Sequence, residues 1–361
     1  MTCVWIAALL LCPAVPAADK YSGLDPAKIQ AIERVVSAGM SRYKVPGMTV
    51  AVGEGLRLAW AKGFGLADVE NGVHATPATE YRIGSISKPI TAVAVMQLVE
   101  SGKLDLDAPI QKYVPAFPQK PWPVTARELL SHLGGIRHYA SLDEVNSTRH
   151  YRDLIEPLKI FASEPLLFEP GTRFSYTTYG YSLLGAAVEA ASGMRFFDYL
   201  SSRVFAPAQM EHTQLDDVFL VIPNRAHGYR RRPDGALENC AFVDTSNKIP
   251  GGGLVATAGD LVRFASALHR GQLVAAGTRT RMFTPAKTRD GRAVPYGFGW
   301  FIFERDGSRW VGHSGAQPGA STYLLAVPAR GLSVAVLANL EGLNLEPLSV
   351  RIADIVLHSG E

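Results

Sequence analysis

The chain has 361 residues, 47% of them apolar and 19% charged, enough for a large buried core and too apolar for a disordered chain. Its 36 basic and 33 acidic residues leave a formal net charge of only +3 and are scattered, so there is no electrostatic case for nucleic acid or a charged membrane surface as partner. No short period repeats along the sequence, which excludes solenoids and propellers.

In chain order, Val4 to Leu11 is an apolar run followed by Pro13 and the small stretch Val15-Pro16-Ala17-Ala18. This is the pattern of an export signal cut after Ala17. Residues 1–17 are therefore expected to be a leader and residues 18–361 a single exported domain, periplasmic or secreted. The apolar run is too short for a permanent membrane anchor. Leu11 is too large a neighbour for a lipidated Cys12. Of the three cysteines only Cys240 then remains, so no internal disulfide is available, and Cys240 is expected as a small core residue.

Pro26 to Met40 carries apolar residues at helical spacing behind Asp25, a ready N-cap. Met48–Val52 and Leu56–Phe64, joined by Gly53-Glu54-Gly55, read as a hairpin. Pro89 to Val99 is apolar on every side and is followed by Gly102, which predicts a central helix buried all round. From about 100 to 250 helix-like segments such as Thr125–His132 and Tyr181–Ala191 alternate with Pro and Gly loops, which predicts a mainly helical subdomain. Arg230 to Arg232 reads as a solvated loop. Tyr296–Glu304, Ser308–Gly312, Ser321–Val327 and Leu332–Ala338 then form a predicted antiparallel meander. Pro347 to Leu357 closes the chain with a helix expected beside the first. The fold class is thus α+β: an antiparallel sheet built from about 18–84 and 290–361, flanked by the terminal helices, with a helical insert and a cleft where insert meets sheet.

Ser85-Ile86-Ser87-Lys88 stands at the entrance of the buried helix. Residues three apart share one helical face, so the Lys88 amine can reach the Ser85 hydroxyl, and a buried amine can lose its proton and activate that serine. The motif has little weight alone, since Ser41-Arg42-Tyr43-Lys44 matches it too, at the end of a surface helix. Tyr176, on a loop edge before a helix, offers a phenol as a second proton carrier, and Thr178 a hydroxyl for a substrate amide. His313 in His313-Ser314-Gly315 follows a strand, where its imidazole can hydrogen-bond substrate or the base. Gly315 permits close backbone approach, and the Ala316 N–H can join that of Ser85 as an oxyanion hole. His132-Leu133-Gly134 ends a helix and reads as structural. The nine histidines show no metal-binding spacing, so neither a metal nor another cofactor is expected. Gly251-Gly252-Gly253 lacks a following Gly-Lys-Ser/Thr and reads as backbone crossing close to the cleft rather than as a phosphate loop.

Ser85-x-x-Lys88, Tyr176-Thr177-Thr178 and His313-Ser314-Gly315, in that order, resemble the class C β-lactamase superfamily of serine β-lactamases, D-alanyl-D-alanine carboxypeptidases and related esterases. Arg82 to Lys88, Gly102 to Asp107, Ser131 to Tyr139 and Gly251 to Leu254 look most like the mitochondrial serine β-lactamase-like proteins and their bacterial relatives. The resemblance spans nearly all of the mature chain. It implies an antiparallel sheet with a helical subdomain and a serine hydrolase of peptidase-like or carboxypeptidase-like character, acting on a peptide-like or small acyl substrate. The superfamily usually carries Tyr-x-Asn and Lys-Thr-Gly or His-x-Gly, so Thr178 and His313 depart from the lactamase form and speak against efficient β-lactam hydrolysis. A β-lactamase, a small-ester esterase and a non-catalytic binding protein on the same fold are the alternatives, and the oligomeric state is left open.

Overall fold

The computed structural model describes residues 23–358; the expected leader lies outside the described residues. Helix α1 (Pro26–Tyr43) starts where the Asp25 carboxylate accepts the Ala27 N–H at 2.7 Å, with proline in the first turn where its missing donor costs nothing. It ends at Lys44, which adopts the left-handed conformation at φ 49°. Strands β1 (Gly47–Glu54) and β2 (Arg57–Asp68) form the predicted hairpin, with β3 (Val73–His74) on its outer edge. The remaining strands of this sheet come from the other chain end: β9 (Phe301–Arg305), β10 (Ser308–Gln317), β11 (Ala320–Val327) and β12 (Leu332–Ala338). Between them in sequence lie the short strands β4 (Tyr81–Arg82), β5 (Gln214–Leu215), β6 (Tyr229–Arg231), β7 (Leu237–Asn239) and β8 (Leu254–Ala256).

The seven-stranded antiparallel sheet runs β3-β2-β1-β12-β11-β10-β9, so the two chain ends meet where β1 pairs with β12, Val50 opposite Val336. Every residue of β11 and β12 is buried, because helices cover both faces. Alternate residues accordingly enter two different cores. Val50, Val52, Val334 and Val336 pack with Ile32 and Val36 of α1 and with Ile352 and Val356 of the C-terminal helix Glu346–His358. Ala51, Leu324, Ala335 and Leu337 pack on the other side, with helix Ala258–His269 and with α2 (Ser87–Glu100). In α2, residues 87–96 are all buried, as the unbroken apolar run predicts, and Gly102 follows at φ 70°.

Four expectations change on contact with the structure. The insert is less helical than its apolar segments suggest: α3 (Ala126–Leu130) and α4 (Leu142–Val145) are short, and only α5 (Tyr179–Ser192) is long between α2 and residue 250. The small sheets β4-β8-β5 and β6-β7 also belong to this region. The first strand of the meander begins at Phe301 rather than Tyr296, because residues 296–300 pack as a loop against α2, where Gly299 at φ 86° has no room for a Cβ beside Ala92. The Arg230–Arg232 run lies on the β6-β7 hairpin and is paired, Arg230 with Glu238 and Arg232 with Asp234. Cys240 is only half-buried, against Gly228 and Gly319.

Candidate active site

Ser85 lies on a single 3-10 turn, Gly84–Ile86, that runs straight into α2. The turn is pinned from several directions. The Ile83 N–H donates to the Leu254 carbonyl at 3.0 Å, the Thr322 hydroxyl donates to the Ile83 carbonyl at 3.0 Å, and the Ser87 hydroxyl donates to Gly84 O at 2.8 Å. Lys88, one turn later, is fully buried, with Nζ 2.9 Å from Ser85 Oγ, 3.1 Å from Thr178 Oγ1 and 2.7 Å from Gly251 O. Burial above all, and Lys248 after it, hold the Lys88 amine well below the ordinary lysine range. A neutral amine has two N–H donors and one lone pair. Once the amine is deprotonated, Gly251 O and Thr178 Oγ1 can take its two donors, which leaves the lone pair for the Ser85 O–H. By contrast Ser41, Arg42, Tyr43 and Lys44 are all exposed at the end of α1.

The Tyr176 phenol is hydrogen-bonded to Ser85, and Lys88 Nζ lies 4.8 Å from the centre of its ring. Burial pushes this phenol above its ordinary range, with the Ser85 bond opposing, which favours the protonated phenol over the phenolate. Thr178 is the residue expected to offer a hydroxyl to a substrate amide. It is buried and its hydroxyl is turned onto Lys88. His132 ends α3 as expected of a structural residue, yet its ring lies 4.3 Å from that of Tyr176 and its Nδ1 accepts the Thr177 N–H at 3.2 Å, which fixes the loop carrying the phenol.

His313 lies within β10 rather than after it. Its Nδ1 is 2.7 Å from the Ser314 carbonyl oxygen and its Nε2 2.9 Å from the Tyr296 hydroxyl. A carbonyl only accepts, so Nδ1 carries the proton and Nε2 accepts from Tyr296. The imidazole is buried, which lowers its pKa to about 3, with Lys88 adding to the effect, so the ring is neutral and both nitrogens are taken by protein. This differs from the expected imidazole bonded to substrate or base.

β9 pairs with β10 only from Ser308 to Gly312, so that among the described residues no strand pairs with the edge from His313 to Gln317 on that side. Gln317 pairs with Ala320 across the Pro318-Gly319 turn, and the antiparallel alternation then makes Ala316 and Ser321 a non-hydrogen-bonded pair, with the Ala316 N–H pointing to the free edge. A Cβ on Gly84, at φ 51°, would lie 2.7 Å from Ala316 N, so the two backbones touch only because this residue is glycine. A Cβ on Gly315 would run into the Ile83 carbonyl and the Thr322 hydroxyl. Both glycines thus bring the Ala316 main chain up against the Ser85 turn, where two N–H groups can serve one oxyanion. Gly251 lies where the sequence placed it: a Cβ there would meet Thr178 at 2.6 Å, and its carbonyl is the one held by Lys88.

Tyr296, His138, Tyr139 and Lys248 were not assigned a role in the sequence. His138 Nδ1 accepts the Thr178 N–H at 3.2 Å, Tyr139 is hydrogen-bonded to Thr178, and buried Lys248 donates to Val145 O at 2.5 Å. His138 and Tyr139 stand in a stretch already singled out by resemblance; no spacing rule links the other two to Ser85. The one converging group of metal-ligating side chains among the described residues is Asp68, Glu70 and His227, with ligand atoms within 4.8 Å of one another. Asp68 is already bonded to Asn71 and Glu70 to Asn239.

Residues 32–356 match the beta-lactamase family. The human mitochondrial serine beta-lactamase-like protein LACTB is 32% identical over 415 residues, covering 85% of this chain and 76% of that protein. Penicillin-binding protein 4* of Bacillus subtilis is 30% identical, over 77% of this chain and 64% of that one. Among solved structures, the octameric penicillin-binding protein homologue from Pyrococcus abyssi superposes with a TM-score of 0.80 at 28% identity, covering 91% of this chain and 77% of that one.

Proposed function

From the premise that this chain belongs to the beta-lactamase family and is a serine hydrolase, we propose that Ser85 is its nucleophile and that it cleaves amide or ester bonds of peptide-like or small acyl substrates through a covalent acyl-enzyme. The observation that carries this reading is Lys88: a fully buried amine 2.9 Å from the serine, with both of its N–H donors already committed elsewhere.

The steps follow from the geometry. The Ser85 O–H proton passes to Lys88 Nζ as Oγ bonds to the substrate carbonyl carbon, and the N–H groups of Ser85 and Ala316 hold the resulting oxyanion. When the tetrahedral adduct collapses, the bond to the leaving group breaks and that group takes a proton from Tyr176, while the proton that Lys88 took from Ser85 restores the phenol. Water then attacks the acyl-enzyme by the reverse route, restoring the Ser85 hydroxyl and releasing the acid. The unpaired edge of β10 supports a peptide-like substrate, which can lie along it as an added strand and spend its own backbone donors and acceptors there. Export belongs to the same proposal and rests on the apolar run Val4 to Leu11 and the small residues that follow it.

The test is intact-protein mass spectrometry after incubation with a fluorophosphonate. One adduct on the wild type, absent from Ser85→Ala, is the expected result. An adduct that persists in the variant overturns the assignment of the nucleophile.

A further inference from the structure

The leaving group must sit beside the residues that return its proton, Tyr176 and Lys88. The side chains packed against Tyr176 there are aromatic rings. The Phe301 ring stacks on Tyr176 with centres 6.1 Å apart and lies 5.3 Å from His313. The His313 ring, 6.1 Å from Tyr176, has one nitrogen on the Tyr296 hydroxyl and the other on the Ser314 carbonyl, so it offers a ligand neither a charge nor a spare N–H. The basic side chains that border the site are spent on the protein itself. Lys88 serves Ser85, Thr178 and Gly251. Arg82, at the far end of the β10 edge, is bonded to Asp216 at 2.8 Å and to the carbonyls of Pro318 and Val243. Lys248 is fully buried on the Val145 carbonyl.

A carboxylate brought against His313 would give up its water and receive no cation or N–H donor from that side chain in return, a transfer that strongly disfavours the charged form. An amide, an ester or the next peptide unit of a longer chain meets no such penalty, and can use the backbone of the free edge instead. We propose that the substrate group seated beside His313 is uncharged: the enzyme acts on amides, esters or internal peptide bonds and discriminates against substrates whose leaving residue ends in a free carboxylate. This rests on the assignment of Ser85 as nucleophile and narrows it, turning the enzyme away from carboxypeptidase action.

The experiment uses the full chain and a matched pair of substrates, N-acetyl-dialanine as the free acid and as its C-terminal methylamide, each in L,L and D,D forms, with cleavage of the Ala-Ala bond followed by mass spectrometry. The wild type is expected to cleave a methylamide with kcat/KM at least about tenfold above the matching acid. His313→Lys, which places a cation beside the leaving group, is expected to bring that ratio to one or below. Fluorophosphonate labelling of Ser85 reports in parallel whether each protein has an intact nucleophile. A wild type that takes the free acid as well as the methylamide overturns the inference, as does one that is labelled at Ser85 and cleaves neither form. Absence of label on the wild type removes the Ser85 reading and this inference with it, a failure visible before any substrate is compared. Should His313→Lys fail to fold, the wild-type ratio alone decides.

Discussion

Gly315→Ala isolates the contact on which the oxyanion hole depends. The added methyl would run into the Ile83 carbonyl oxygen and the Thr322 hydroxyl. Neither can move aside as the tip of a flexible chain would. The Thr322 hydroxyl is itself bonded to the Ile83 carbonyl at 3.0 Å, and Thr322 is the residue paired with Gly315 across β10 and β11. The methyl must therefore wedge β10 away from the turn that carries Ser85, at a cost of about 1–3 kcal/mol in stability. The same displacement carries the Ala316 N–H, the next residue, off its position against Gly84. Loss of one oxyanion donor lowers acyl-transfer rates by roughly 100-fold to 1000-fold. Gly277→Ala is the control: in helix Ala276–Met282 a Cβ at this position meets nothing within 4 Å, so the substitution should add about 0.5–1 kcal/mol by helix propensity and leave the site alone. Thermal unfolding and the second-order rate of fluorophosphonate labelling read the two effects separately. Labelling of Gly315→Ala within about threefold of the wild type, alongside the expected loss of stability, would refute the role given to the Ala316 N–H.

Labelling of Ser85 should rise with pH as Lys88 sheds its proton and level off well below the 10.5 of an ordinary lysine, because burial and Lys248 hold the amine down. Lys248→Met removes one of these causes and should move the rise to higher pH; a profile that stays put would count against Lys88 as the base. The same shift has a stability sign. Between the lowered folded pKa and the unfolded value, the unfolded chain binds the extra proton at Lys88, so this residue makes stability climb with pH across that window, and Lys88→Met should flatten the climb in urea titrations. Lys88→Met should also slow labelling by roughly 100-fold to 10,000-fold. Asp216→Ala strands Arg82 and Arg225, whose guanidinium groups lie 2.8 and 3.3 Å from that buried carboxylate, and should cost about 3 kcal/mol in urea unfolding. Tyr296→Phe leaves His313 Nε2 buried without its donor and should cost about 1–3 kcal/mol; a variant as stable as the wild type would show that the bond is dispensable.

What could be read from the sequence was whatever is local. Asp25 before Pro26 and Gly102 after an apolar run mark helix ends because caps and left-handed turns are settled within a few residues, and the structure has both. The run from Tyr296 was read as strand because its residues favour strands. Gly297 and Gly299 were the signal against it, since glycine inside a strand pattern marks a close approach of backbone, here onto the Met282 carbonyl and onto α2. The insert was read as more helical than it is because its apolar residues bury themselves in irregular loops, which hold no period to detect. Tyr296 is seventeen positions from the imidazole it holds, and Lys88 is 163 positions from the carbonyl it holds. Nothing in a sequence window connects such pairs.

The two Ser-x-x-Lys stretches show where the chemistry comes from. Each has the same spacing of serine and lysine, and only one is built into a buried setting. At Ser41 all four residues of the stretch are exposed at the end of α1. At Ser85 the amine is buried by α2, and burial alone would not suffice, because an amine with both donors unsatisfied would be costly to keep inside the fold. The insert supplies the missing acceptors, Thr178 from the start of α5 and Gly251 from the glycine-rich crossing, and the Thr91 hydroxyl in turn bonds the neighbouring Pro250 carbonyl at 2.6 Å, which ties that crossing to α2. Sheet and insert are thus both needed at one atom. Any change that loosens the 249–252 crossing should raise the Lys88 pKa and slow acylation without touching Ser85, which makes Thr91→Val, remote from the substrate, a sharper test of this dependence than another substitution in the motif.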